Sequence, residues 1–416
     1  MSAITENKKG LKVLVMGSIL QLFLGIIYVW SVFKNPVGAY YGWEPVDVGL
    51  TASFMLCFFV IGILAGGKAQ VKIGVKLTVL IGGLMVAFGM LATALIPAAR
   101  ELTAEEELAS WIIDVSRAPV FLLYLFYGII GGFGVGAGYN AIISTAQKWF
   151  PQNRGFATGI SVCAFGLSTV IFAPLVTILI ASLGVNYTFL ILAAGFAAAV
   201  LLLFSFIKTP EQAANTAAPV LKGRQYTTTE MIKTPRFYLI ALSLMFGTSV
   251  FFIINPDIKD LAVNRGLESF ATYLVMFVGI ANALGRLGAP LMSDKIGREL
   301  ADVIILAVTA LGAFGLCFAE GILLIVIIAA VAFCYGGYSG LYPVLTSENF
   351  GIKNIGSNYG AVMVGFMLSA LLFPIAINKI DSQQLKFIIL GAIAAAGAVL
   401  VVILKLMNAK RAGEEA

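Results

Sequence analysis

Phe270–Met292 reads FATYLVMFVGIANALGRLGAPLM, an apolar run interrupted by one charge, Arg286. The polar loop Ser293-Asp294-Lys295 begins seven residues after it. At 1.5 Å per residue, Arg286 stands roughly 10 Å inside the run. A bilayer's hydrocarbon core is ~30 Å thick, so this is near its midplane. A charge at that depth costs a few kcal/mol unless an anion or water meets it. A guanidinium grips a carboxylate with two parallel hydrogen bonds. The position therefore points to transport of small organic anions. The alternative is structural: a bond to a backbone carbonyl, or snorkelling to the cytoplasmic side. Asn282 lies one turn earlier on the same helix face. It can accept from the guanidinium, donate to a bound anion, or join two helices.

The rest of the 416-residue chain has the same character. It is 60% hydrophobic and 12% charged, where soluble domains carry about 25% charged residues. A polytopic membrane protein follows. The 44 glycines suit close helix contacts in lipid. Histidine is absent, and Cys57, Cys163, Cys317 and Cys334 lie in apolar stretches without metal-ligand spacing. No metal, cofactor or nucleic acid is expected, and no nucleophile–base pair or phosphate loop suggests an enzyme. Leu14 to Phe33 is long enough to span and lacks a cleavage site, so it reads as a first transmembrane helix.

Twelve segments have spanning length: 12–34, 48–67, 76–97, 119–145, 156–182, 185–207, 236–256, 268–292, 302–319, 321–345, 355–378 and 384–408. The polar stretch 208–235 is the longest interruption. The expected organisation is an N-terminal six-helix half (1–207), a cytoplasmic linker (208–235) and a C-terminal six-helix half (236–416). Of the 27 lysines and arginines, nineteen fall on the side of the N-terminus, seven on the other, and Arg286 in a span. The positive-inside rule then places both termini in the cytoplasm. The acidic stretch 98–118 is expected outside, as a short helix over the external mouth.

The halves repeat each other. Gly67-Lys68-Ala69-Gln70-Val71-Lys72-Ile73-Gly74 corresponds to Pro290-Leu291-Met292-Ser293-Asp294-Lys295-Ile296-Gly297-Arg298, with Gly74 opposite Gly297, and Trp149-Phe150-Pro151-Gln152-Asn153-Arg154-Gly155 to Asn349-Phe350-Gly351-Ile352-Lys353-Asn354-Ile355-Gly356, with Phe150 opposite Phe350. Such an internal repeat is a transporter design, with the site expected between the halves near mid-membrane. No aspartate or glutamate is expected deep in a span: Asp257 follows the seventh, Glu348 ends the tenth, and Asp294 is in a loop. Tyr28, Tyr124, Tyr127, Tyr139, Tyr335 and Tyr338 offer an apolar wall with a hydroxyl. Ordinary packing is the alternative for each. Tyr28 and Tyr139 lie in Gly-rich stretches.

Three stretches narrow the kinship: Gly25–Pro36 (GIIYVWSVFKNP), Lys148–Gly155 (KWFPQNRG), and Asn282-x-x-x-Arg286 with Ser293–Arg298. With the half-repeat they resemble the major facilitator superfamily, and within it the oxalate/formate antiporter family, close to the monocarboxylate transporters. The resemblance covers the chain from the first segment to the last. It implies an all-α membrane protein of twelve transmembrane helices in two six-helix halves. It implies that Arg286 binds substrate, and that Tyr28, Tyr139 and Tyr335 line the pocket. The oxalate exchanger has a second cation eight residues after an Asn-Tyr-Gly. Here Asn358-Tyr359-Gly360 is present and the eighth position is Phe366. Lys379 is thirteen residues further, ~20 Å along a helix, and cannot replace it. One cation favours a monocarboxylate over a dianion, with Phe366 against the apolar tail.

The chain also departs from the pattern. Asn282 stands where many monocarboxylate transporters have an acid, and the helix-four arginine of some proton-coupled relatives is missing. Val71 replaces the loop aspartate of the first half, while Asp294 is kept in the second. The expected function is secondary active transport of a lactate-, pyruvate- or formate-like acid by alternating access, coupled to protons. Carboxylate/carboxylate exchange of the oxalate/formate type is the close rival. The expected partners are a small carboxylate, a proton and the lipid bilayer. The expected setting is the plasma membrane, multi-pass, as a monomer.

Overall fold

The computed structural model describes residues 2–98, 118–210, 224–377 and 379–415. Among them there is no β-strand. Ten helices are long and apolar enough to cross a membrane. One of these, Arg154–Phe206, holds two spans, broken at Gly184, whose φ of +82° ends the first. A further helix, Arg298–Gly315, carries Arg298, Glu299 and Asp302 near its start and is otherwise apolar. The twelve segments are α1 (Lys8–Tyr41), α2 (Pro45–Lys72), α3 (Val75–Ala94), α4 (Phe121–Trp149), α5 (154–183), α6 (185–203), α7 (Pro235–Ile254), α8 (Ala271–Ile296), α9 (Arg298–Gly315), α10 (Gly321–Phe350), α11 (Ile355–Ile377) and α12 (Gln383–Glu415). Helices suit this composition because hydrocarbon offers backbone groups no partner outside the segment. The expected acidic helix over 98–118 lies outside the described residues, as does most of the polar linker.

Two compact units emerge. One comprises 1–14, 143–163 and 209–416; the other comprises 15–142 and 164–208. The end of α4 and the start of α5 thus group with the C-terminal helices.

The breaks within helices have local causes. Gly25–Val29 is a 3₁₀ turn inside α1. Tyr124–Gly131 forms a π-type stretch inside α4. Such departures from regular winding occur often at functional sites. Pro174, Pro290, Pro343 and Pro374 all stand inside helices, whereas Pro256 follows the end of α7.

Glycines set the closest contacts. A Cβ on Gly285 of α8 would overlap the Phe333 carbonyl of α10, and one on Gly336 of α10 would overlap the Asn282 carbonyl. A Cβ on Gly340 would meet the Arg286 carbonyl. The two backbones touch over the stretch that carries the buried cation, which small residues alone permit.

One sequence expectation needs correction. Hydropathy puts the start of the ninth segment at 302, but the helix starts four residues earlier, at Arg298. Asp302 therefore lies more than one turn inside α9 and is fully buried. A carboxyl group does stand within the helical core.

Candidate functional site

Arg286 is 2% exposed, the bulkiest side chain among the fully buried ones. Its Nε donates to Oδ1 of Asn282 at 3.0 Å. The i,i+4 spacing makes this bond local to α8. It fixes the plane of the guanidinium, and α10 holds the same helix stretch from behind through Gly336 and Gly340. A rigidly oriented guanidinium is what bidentate carboxylate recognition needs.

Tyr335 and Phe366 meet in the same unit. Tyr335 of α10 stacks on Phe251 of α7, with ring centroids 4.0 Å apart and planes inclined by 19°. Phe252 meets it edge-on at 5.6 Å, and Phe366 of α11 lies 6.2 Å away. Phe252 and Phe366 are themselves 5.1 Å apart. These four rings form one apolar cluster. Tyr335 is the neighbour in sequence of Gly336, so the contact with Asn282 and the ring cluster begin on adjacent residues of α10.

Tyr28 and Tyr139 meet in the other unit. Both rings lie against Phe165 of α5, at 5.4 and 4.7 Å. Phe59 of α2 completes the group at 5.3 Å from Tyr139 and 6.0 Å from Phe165. Gly25 allows this approach: a Cβ there would overlap the Phe165 carbonyl. Tyr28 is 36% exposed, whereas Tyr139 is buried.

The remaining tyrosines are spent on structure. The Tyr124 hydroxyl donates to the Asp47 carbonyl at 2.8 Å. Tyr338 lies 2.8 Å from the Thr309 hydroxyl. Tyr127 is buried beside Trp30, with centroids 4.9 Å apart. It also lines a small apolar recess with Ile26, Met55 and Met90. Apart from Tyr127, that recess holds none of the candidate residues.

A second polar centre lies where the loop motifs meet. Asp294 accepts from the backbone N–H of Gly155 at 3.1 Å and of Phe156 at 2.9 Å. These amides open α5, and a carboxylate at a helix N-terminus is favoured by the exposed donors and the helix dipole. Asp294 also pairs with Arg298 at 2.5 Å. Arg298 reaches Glu348 at 3.0 Å and donates to Ser293 at 2.6 Å. Arg154 donates to Ser347 at 3.3 Å. The aspartate kept in the second-half motif is thus the residue that holds the start of α5.

Sequence reasoning missed Phe251, Phe252, Phe59 and Phe165. Their helices are apolar on all sides, so no periodicity marked the inward face.

Comparison with known proteins agrees with this architecture. The sequence profile of the Major Facilitator Superfamily matches residues 15–374. An uncharacterized MFS-type transporter of Escherichia coli K12, YhjX, is 27% identical over 362 residues, 85% of this chain and 84% of its own length. The oxalate:formate antiporter of Oxalobacter formigenes is 28% identical over 348 residues, 81% of this chain and 76% of its own. Monocarboxylate transporter 13 of Rattus norvegicus is 23% identical over 390 residues, 90% and 84%. The solved proton:xylose symporter XylE superposes with a TM-score of 0.71 at 16% identity, covering 94% of this chain and 95% of its own. At that identity the likeness concerns the fold. Twelve apolar segments, the ladder of glycine contacts and the profile match converge: this chain is a multi-pass membrane transporter, not an enzyme, and belongs to the major facilitator superfamily.

Proposed function

We propose that the protein carries a small monocarboxylate, of the lactate, pyruvate or formate kind, by alternating access. The observation that carries this reading is Arg286, buried in α8 with its Nε held by Asn282. A guanidinium oriented in this way binds a carboxylate through paired N–H donors. Asn282 orients the cation, and Tyr335 and Phe366 supply apolar wall for a short tail. Tyr28 and Tyr139 are assigned to substrate on the resemblance. Phe366 at the position of the oxalate exchanger's second cation favours one negative charge over two. Proton symport is the first choice of coupling. The lysine and arginine distribution favours both termini in the cytoplasm.

Carboxylate exchange is the second reading. It is favoured by similarity to a protein named as an oxalate:formate antiporter over 81% of this chain.

A thermal-shift screen of short carboxylates on the purified protein tests the substrate class. A specific ligand stabilises the folded form by mass action. Lactate, pyruvate or formate should raise the unfolding midpoint, and oxalate should do so less. Equal stabilisation by oxalate would refute the one-cation argument.

A further inference from the structure

Asp302 is 0% exposed, and among the described residues neither of its carboxylate oxygens has a hydrogen-bond partner. It stands in α9 among polar groups from neighbouring helices. The Tyr342 hydroxyl of α10 donates to Ser243 of α7 at 2.9 Å. Tyr338 of α10 pairs with Thr309 of α9. The titratable groups acting on Asp302 are Tyr342 and Tyr338 of α10 and Glu299 of its own helix. From α7 comes the uncharged Ser243. From α12 comes Asn408, which donates to Glu299 and to Asn349, while Lys405 is exposed. From α8 comes Asp294, already paired with Arg298. An ionised carboxylate buried so, with no cation paired to it, is strongly disfavoured, and the neutral acid is not.

A cation is nevertheless one turn away. Arg298 precedes Asp302 by four residues, so the two share a face of α9. In this arrangement Arg298 is committed to Asp294, Glu348 and Ser293. Asp294 in turn holds the amides of Gly155 and Phe156. The partner of Arg298 is thereby linked to whether the start of α5 is held.

We propose that Asp302 is a proton-binding carboxyl whose proton is exchanged when Arg298 changes partner. While Asp294 holds α5 and Arg298, Asp302 keeps its proton as the neutral acid. When Asp294 releases the α5 amides, the Arg298 guanidinium turns to Asp302. The O–H bond breaks, the proton passes to water at the loop end of α9, and the carboxylate is left paired with Arg298. Protonation reverses the exchange. This gives the coupling ion a site distinct from Arg286, and it rests on the carboxylate-transport reading for its link to substrate.

The test uses the full chain in proteoliposomes with labelled lactate, as wild type, Asp302→Asn and Asp302→Glu. Asp302→Asn should retain lactate-for-lactate exchange at equal pH. It should lose accumulation driven by an inward proton gradient, and its pH profile should flatten. Asp302→Glu should restore accumulation with a displaced profile. Gradient-driven accumulation by Asp302→Asn at the wild-type level would overturn the proposal, as would a wild type that exchanges lactate yet is indifferent to the gradient. Infrared difference spectra of the purified protein separate this from the substrate reading. A protonated-carboxyl band present in wild type at neutral pH and lost in Asp302→Asn supports the proton site even if lactate is not carried. Its absence in wild type overturns the site, whatever the transport result.

Discussion

Replacing Arg286 by alanine removes the one cation of α8 that lies at membrane depth. A hydrogen bond to a charged group is worth about 1.5–3 kcal/mol. Carboxylate affinity should therefore fall by roughly 10- to 150-fold, since 1.4 kcal/mol is a factor of ten. Arg286→Lys keeps the charge but loses the planar fork. Its affinity, read by titration of lactate, should fall between wild type and alanine. Asn282→Ala takes the acceptor from Nε. It should lower the unfolding midpoint without ligand and weaken lactate binding together, because one bond serves both. An unchanged midpoint with unchanged affinity would show that Asn282 does not orient the cation. Arg286 and Asn282 were legible in the sequence because a charge inside an apolar run is rare in lipid. Asp302 was not, because the polar Arg298-Glu299 start of its helix reads as loop. Phe251, Phe252 and Phe165 were not, because lipid is as apolar as protein core and burial leaves no compositional mark.

The elements are held by shape rather than by hydrophobic sorting. Gly336 seats α10 on the Asn282 carbonyl, so Gly336→Val must push α10 from α8. Overpacking of this kind costs typically ~1–3 kcal/mol. The variant should unfold earlier in detergent and lose lactate binding through displacement of Arg286. Gly279 of α8 has open space where a Cβ would go. Gly279→Ala should be neutral or stabilising by up to ~1 kcal/mol, as for a helix-interior glycine. The contrast, measured by thermal unfolding, isolates the packing role from helix propensity. The spans and their number were readable from hydropathy. The break at Gly184 within 154–206 was readable as two segments, and its φ of +82° is where the first of them ends.

At the scale of the whole molecule, Asp294 ties the end of α8 to the start of α5 through the Gly155 and Phe156 amides. Asp294→Asn weakens both amide contacts and the Arg298 pair. In a background lacking Cys57, Cys163, Cys317 and Cys334, a cysteine introduced by Asn153→Cys reports on that segment. Its maleimide reactivity should rise in Asp294→Asn; equal reactivity would show that Asp294 does not restrain it. The half-repeat showed which motifs correspond but not which of them touch. Val71 in the first copy and Asp294 in the second decided that.

The most direct measurement is uptake of labelled lactate into proteoliposomes containing wild type or Arg286→Ala, reconstituted at equal amounts and shown to be folded. Wild type is predicted to take up lactate above protein-free liposomes, and Arg286→Ala to match the protein-free level. Lactate uptake by Arg286→Ala at the wild-type rate would contradict the assignment of the carboxylate to Arg286.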